Sequence, residues 1–263
     1  MDLQLTGKKA LVAGSSRGLG YAIAEVLLME GVQVVVNSRN PKKLAAAAEK
    51  LSKKSGYEVH SALGDVTDPV EVENIIAQVI NSAGGLDLLV TNSGGPPSGK
   101  FETIDEETWK KGLDLALLSH VRLIRAALPY LRKSEAASVL TITSYSVKQP
   151  IPNLVLSNSI RAATIGLTKT LALELGGDGI RFNSILPGWT TTERVQELMQ
   201  DRADINNTTV EEEKRKQAAE SPFGRMATPQ EVANPAVFLL SPAASYLTGV
   251  MLAVDGGMYK GTL

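Results

Sequence analysis

The chain has 263 residues, of which 43% are hydrophobic and 21% charged, and its formal net charge is −1. A nearly neutral chain has no field to draw nucleic acid or an anionic membrane, and the absence of cysteine excludes disulfides, thiolate catalysis and thiolate metal sites. Two histidines, His60 and His120, argue against a zinc site, and with neither a signal-peptide pattern at Met1-Asp2-Leu3-Gln4 nor a bilayer-length apolar run, the expected location is the cytoplasm.

Apolar, β-rich runs alternate with helical patterns, which predicts an α/β fold: a Rossmann-type, doubly wound, seven-stranded parallel sheet with helices on both faces, in one domain spanning 1–263. The strands are predicted at 9–13, 32–37, 58–63, 86–91, 138–143, 180–186 and 250–254. The first runs into Gly14-Ser15-Ser16-Arg17-Gly18-Leu19-Gly20, after which a helix begins at Tyr21-Ala22-Ile23-Ala24. Small residues between a strand and a helix let the backbone approach a pyrophosphate, which the helix N-terminus then favours.

The second strand, Val32-Gln33-Val34-Val35-Val36, is apolar almost throughout, as a sheet covered on both faces requires, and it ends in Asn37-Ser38-Arg39. A carboxylate at that end would bond ribose hydroxyls and repel a 2′-phosphate. Here there is none, while Arg39 and Arg17 could hold a phosphate, so NADP(H) is expected over NAD(H). Asn40-Pro41, Asp68-Pro69-Val70-Glu71 and Thr228-Pro229-Gln230-Glu231 read as helix starts. Between the last two strands, 191–220 is polar and helical in composition, and it reads equally as a solvated surface or as a lid over a substrate.

The G-x-x-x-G-x-G spacing does not stand alone. Gly64-Asp65-Val66 follows the third strand, Asn92-Ser93-Gly94-Gly95 the fourth, Ser144 the fifth, Pro187-Gly188 the sixth and Val254-Asp255-Gly256-Gly257 the seventh. In this order the motifs resemble the short-chain dehydrogenase/reductase family, most of all its 3-oxoacyl-[acyl-carrier-protein] reductase branch. The resemblance implies a cofactor site built from Gly14 to Gly20, Ser38, Arg39, Asp65, Val66, Asn92, Ser93, Gly94, Arg161, Pro187, Gly188, Thr190 and Thr192. In it, Asp65-Val66 would meet the adenine, and Thr190 and Thr192 the nicotinamide amide. It also implies a homotetramer or homodimer built partly on the helices at 106–131 and 154–175.

In the resembled family an Asn, a Ser, a Tyr and a Lys surround the reacting carbonyl. Ser144 stands where the family has its Ser. The same alignment puts Ser157 at the Tyr position, Arg161 at the Lys position and Ala116 at the Asn position. A Ser hydroxyl is a far weaker acid than a phenol, and Arg releases no proton at any relevant pH, so the usual relay is expected to be absent. Arg161 could still donate to the ribose. Tyr145 is the foremost stand-in for the acid, with Lys148 and His120 behind it; each has a plain alternative, as a ring packed under the loop, a solvated amine and a core histidine. Two functions follow from different classes: an NADP(H)-dependent oxidoreductase acting on a small carbonyl or alcohol substrate, or a catalytically impaired NADP(H)-binding protein with a sensing or scaffolding role. The stretches 94–99, 149–152 and 191–220 are expected to line the substrate pocket.

Overall fold

The computed structural model describes residues 1–262. Its strands are β1 (Lys9–Val12), β2 (Gln33–Ser38), β3 (His60–Leu63), β4 (Leu88–Thr91), β5 (Ser138–Ile142), β6 (Arg181–Pro187) and β7 (Met251–Val254). Among the described residues they form one sheet in the order β3-β2-β1-β4-β5-β6-β7, every neighbouring pair parallel. The helices are α1 (Gly18–Met29), α2 (Pro41–Ser55), α3 (Pro69–Ala83), α4 (Glu106–Leu113), α5 (Ser119–Leu131), α6 (Val155–Glu174), α7 (Glu193–Asn206), α8 (Val210–Ala218) and α9 (Pro229–Leu240). None is long and apolar enough to cross a membrane.

Side chains alternate across a strand, and the buried runs use both faces. Val34 and Val36 of β2 join Ile23 and Leu27 of α1 and Val237 of α9 on one side of the sheet. Val35 joins Ile75 of α3, Leu123 of α5 and Phe182 of β6 on the other. The helix starts read from sequence are capped as expected. Asn40 accepts from the Lys43 N–H, Asp68 from those of Val70 and Glu71, and Thr228 and Glu231 form a reciprocal capping box.

Two features depart from a simple reading of the pattern. The helix at 106–131 is broken by a π-helical segment, Asp114–Leu118, which apolar periodicity does not reveal because it adds only one residue to a turn. The polar insert folds as α7 and α8, with Thr209 and Glu212 forming a second capping box. Because β1 is flanked by β2 and β4, the chain reverses its direction of travel across the sheet there. Such a switch point opens a crevice at the carboxyl ends of the strands.

Candidate functional site

A cleft of about 470 Å³ occupies that crevice. Its floor is the loop from β1 to α1. Gly14 has φ +57, and a Cβ there would lie 2.8 Å from the Asn92 carbonyl oxygen; one on Gly20 would lie 2.6 Å from the Gly14 oxygen. The Asn92 side chain fixes this approach by donating to the carbonyls of Ala13 and Gly14. Arg17 stands at the N-cap of α1 and offers no side-chain cap, so the first N–H groups of the helix are left to face the cleft.

Of the residues expected at the cofactor site, Gly14, Ser16, Arg17, Gly18, Leu19, Ser38, Arg39, Asp65, Val66, Asn92, Ser93, Gly94, Arg161, Pro187, Gly188, Thr190 and Thr192 line this cleft. Ser15 and Gly20 do not. Ser15 is fully buried, donating its hydroxyl to the Val12 carbonyl and accepting from the Asn37 N–H, and so it holds the loop against β2 rather than facing a ligand. Gly20 provides close packing on Gly14. Arg17 pairs with Glu197 of α7 and Arg39 with Asp65, each at 3.1 Å. Burial raises the Asp65 carboxyl, but hydrogen bonds from Thr67 and Arg39 outweigh it and hold the group below its ordinary value.

Ser144, Tyr145, Ser157 and Arg161 also line the cleft together. Arg161 is only 8% exposed. Its Nη1 donates to the carbonyls of Ile142 at 3.0 Å and Thr143 at 3.3 Å, and its Nη2 to that of Gly94 at 2.8 Å. Burial and the neighbouring Arg194 push it down to about 10, so it stays charged at neutral pH. Three of its five N–H donors thus serve the backbone, which narrows what it can offer a ribose.

The surroundings of Ala116 are closed in the same way. Its carbonyl accepts from the Thr164 hydroxyl at 2.6 Å, and the Leu115 carbonyl accepts from both Ser93 and Ser119 at 2.5 Å. Tyr145 is 3% exposed and packs with Ile151, Leu154 and Trp189. Its hydroxyl donates to Glu220 at 3.5 Å, and burial followed by the Glu220 charge raises its pKa well above the ordinary phenol value, so its proton is held more tightly than in a free phenol. Lys148 lies over the ring of Tyr259, and His120 is buried behind the sheet end with Nδ1 on the Thr91 hydroxyl; neither reaches the cleft.

The first turns of α7 border the cleft, and residues there that the sequence did not single out shape it. Arg194 donates to the Pro96 carbonyl at 2.6 Å and pairs with Glu197, while Ser98 donates to Asp201 at 2.7 Å. Val195 and Leu198 supply apolar wall. The i, i+3 spacing of Arg194 and Glu197 was a readable sign of a shared face, but not of what that face would meet.

The family model described as Enoyl-(Acyl carrier protein) reductase matches residues 13–259. The chain belongs to the short-chain dehydrogenase/reductase family. It is 34% identical to the uncharacterised oxidoreductase YvrD of Bacillus subtilis over 99% of both chains. It is 30% identical to the 3-oxoacyl-[acyl-carrier-protein] reductase FabG of Aquifex aeolicus over 98% of this chain and 100% of that one. Among solved structures, the L-sorbose reductase of Gluconobacter frateurii, complexed with NADPH and L-sorbose, superposes with a TM-score of 0.94 at 34% identity, over 99% of this chain and 100% of that one. An oxidoreductase of this family is therefore the class to which the cleft belongs.

Proposed function

We propose that the protein is an NADP(H)-dependent oxidoreductase acting on a small carbonyl or alcohol substrate. The observation that carries the proposal is the charge around the glycine loop. An uncapped helix N-terminus and two arginines, Arg17 and Arg39, face one end of the cleft, and β2 ends there in Ser38 with no carboxylate. Ser16, Leu19 and the first turn of α1 would hold the pyrophosphate, Asp65 and Val66 the adenine, and Pro187, Gly188, Thr190 and Thr192 the nicotinamide end. When bound, the reduced cofactor supplies a hydride. Ser144 then holds the substrate oxygen through its hydroxyl, Arg161 adds a fixed positive charge to the same region, and Val195 and Leu198 exclude water.

The second reading is a protein that binds NADP(H) without turning substrate over. It draws on one observation: Arg161 and the Ala116 carbonyl, at two of the family's catalytic positions, spend hydrogen bonds on the protein itself. A titration of the purified protein with NADPH and NADH, followed by transfer of deuteride from labelled NADPH to a panel of ketones, aldehydes, sugars and 3-oxoacyl thioesters, separates the two. NADPH binding at least tenfold tighter than NADH with label in a product supports the first reading. Binding with no label anywhere supports the second, and equal affinity for the two cofactors removes the NADP(H) preference from both.

A further inference from the structure

A second cavity, of about 370 Å³, adjoins the cleft and shares the Tyr145 and Ile151 side chains with it. Its size falls within the roughly 300–1,000 Å³ of small-molecule sites. The loop that forms one wall is held in place from behind. Asn158 accepts from the Ile151 N–H and donates to the Ile151 carbonyl, Gln149 accepts from the Lys260 N–H, and the Asn153 carbonyl accepts from Gly99 at 2.7 Å. These bonds hold the 149–153 loop, one wall of the cavity, in place.

Its lining is polar and carries both signs of charge. Glu220, Arg202 and Lys260 line it, as do Gln149 and Asn206, with the Tyr145 phenol at the junction with the cleft. An anionic ligand would meet the Glu220 carboxylate, and a cationic one Arg202 and Lys260. An aliphatic chain would strip water from all of these groups without replacing its hydrogen bonds. Hydroxyl groups both donate and accept, so a neutral, hydroxyl-rich molecule satisfies donors and acceptors together. The 3.5 Å bond from Tyr145 to Glu220 is long enough for a closer hydroxyl to compete for either partner. Next to that junction, Trp189 is buried in the cleft wall with Arg202 over its ring at 5.0 Å, and its indole N–H lies beside the Tyr145 hydroxyl.

We infer that this cavity is a subsite for the hydroxyl-bearing end of a polyol or sugar, whose carbonyl reaches past Tyr145 toward Ser144. As a substrate assignment the inference rests on the oxidoreductase reading above; as a binding site it stands without it.

Trp189 offers a readout that does not depend on turnover, since the chain has two tryptophans and a Trp109→Phe variant assigns the indole resonances. L-Sorbose and D-glucose, added to the ¹⁵N-labelled full chain with and without NADPH, are expected to shift the Trp189 indole peak saturably. Cyclohexanone and 3-oxobutanoate are expected to shift it far less. Glu220→Gln and Asn206→Ala should each weaken the sugars, Glu220→Gln by roughly tenfold or more because it removes a charged acceptor, with both variants still folded at the assay temperature and NADPH affinity unchanged. Sugars that leave the peak in place, sugars that bind both variants as well as the parent, or tighter binding of 3-oxobutanoate would each overturn the inference. NADPH titrated in the same samples keeps the two readings apart: sugar binding without NADPH binding retires the oxidoreductase and keeps the subsite, and the reverse result does the opposite.

Discussion

Arg161 donates from Nη2 to the carbonyl of Gly94 at 2.8 Å, joining α6 to the loop after β4, while Nη1 holds the end of β5 through Ile142 and Thr143. One buried guanidinium thus pins three segments that meet in the wall of the cleft. Replacing it by Ala would leave carbonyls without donors. Arg161→Ala is expected to lower the unfolding free energy by about 2–4 kcal/mol in urea melts, and Arg161→Lys to recover only part of that, because a point ammonium does not reproduce the planar fork. A loss below about 0.5 kcal/mol for the Ala variant, the range of an ordinary surface change, would show that the three bonds do not matter to folding.

At the other end of the cleft the two arginines proposed for the 2′-phosphate are each already paired. Arg39→Ala should raise the Kd for NADPH by roughly tenfold, leave NADH nearly unaffected and have a smaller effect in high salt, since Arg39 is exposed. Glu197→Gln should act in the opposite sense by freeing Arg17 from its partner, tightening NADPH a few-fold. Isothermal titration of both variants with both cofactors tests the pair. Identical shifts for NADPH and NADH would mean that neither arginine reads the phosphate.

His120 carries a pH dependence of stability whose sign is fixed by burial. Desolvation, and then the Arg161 charge, push the imidazole down to about 3, so the folded state holds it neutral. The unfolded chain takes up a proton near the ordinary value of about 6.5, and between that pH and about 3 it therefore binds more protons than the native state. The stabilisation is fully present above about pH 6.5 and is lost as the pH falls, by up to about 1.4 kcal/mol per pH unit. His120→Gln keeps a partner for Thr91 but cannot titrate. Urea melts from pH 8 to 4 should show the stability of the parent relative to this variant constant above about 7 and declining below 6.5; a constant difference throughout would place the acid sensitivity elsewhere.

The segments 106–131 and 154–175, expected to build an oligomer, carry large apolar side chains at the surface. Leu113, Leu118 and Leu173 are exposed, Leu173 by 75%. Static light scattering at micromolar concentration is expected to give a dimer or tetramer, and Leu118→Glu with Leu173→Glu to shift the mass toward one chain. A parent protein that already runs at one chain's mass disposes of the idea.

Much of the fold was legible because a covered parallel sheet writes itself as continuous apolar runs such as 32–36, and because Asn40, Asp68 and Thr228 announce their helices by local chemistry. Most of the cleft was legible from the turns at the strand ends. Ser15 was not, since a small polar residue in a glycine loop reads the same whether its hydroxyl faces out or back to Val12. Arg194 and Glu197 were hidden for a different reason: their partners Pro96 and Arg17 are 98 and 180 residues away, and no local pattern reports such a meeting. The carbonyl partners of Arg161 were likewise beyond reach, because a backbone acceptor leaves no mark on composition.

The contrast between the two readings of function comes down to Ser157, one turn of α6 from Arg161 and open to the cleft. Restoring all three altered family positions at once is the obvious rebuild, but the geometry favours one change. Ala116 lies in an apolar cluster with Leu156 and Ile160, where an added amide would overpack at about 1–3 kcal/mol, and Arg161→Lys would break the bonds to three carbonyls. Ser157→Tyr alone places a phenol into the cleft volume, and at i, i+4 from the retained guanidinium its pKa should fall below the usual value of about 10. A general acid is worth roughly 10²- to 10⁴-fold, so NADPH oxidation by a carbonyl panel should rise visibly over the parent, with the gain falling as pH exceeds the phenol's pKa. Ser157→Phe fills the same space without a proton and is the control. If the Tyr variant melts near the parent, binds NADPH and still turns over no faster than the Phe variant, the missing acid was not what stood between this cleft and catalysis, and the binding-only reading gains the ground.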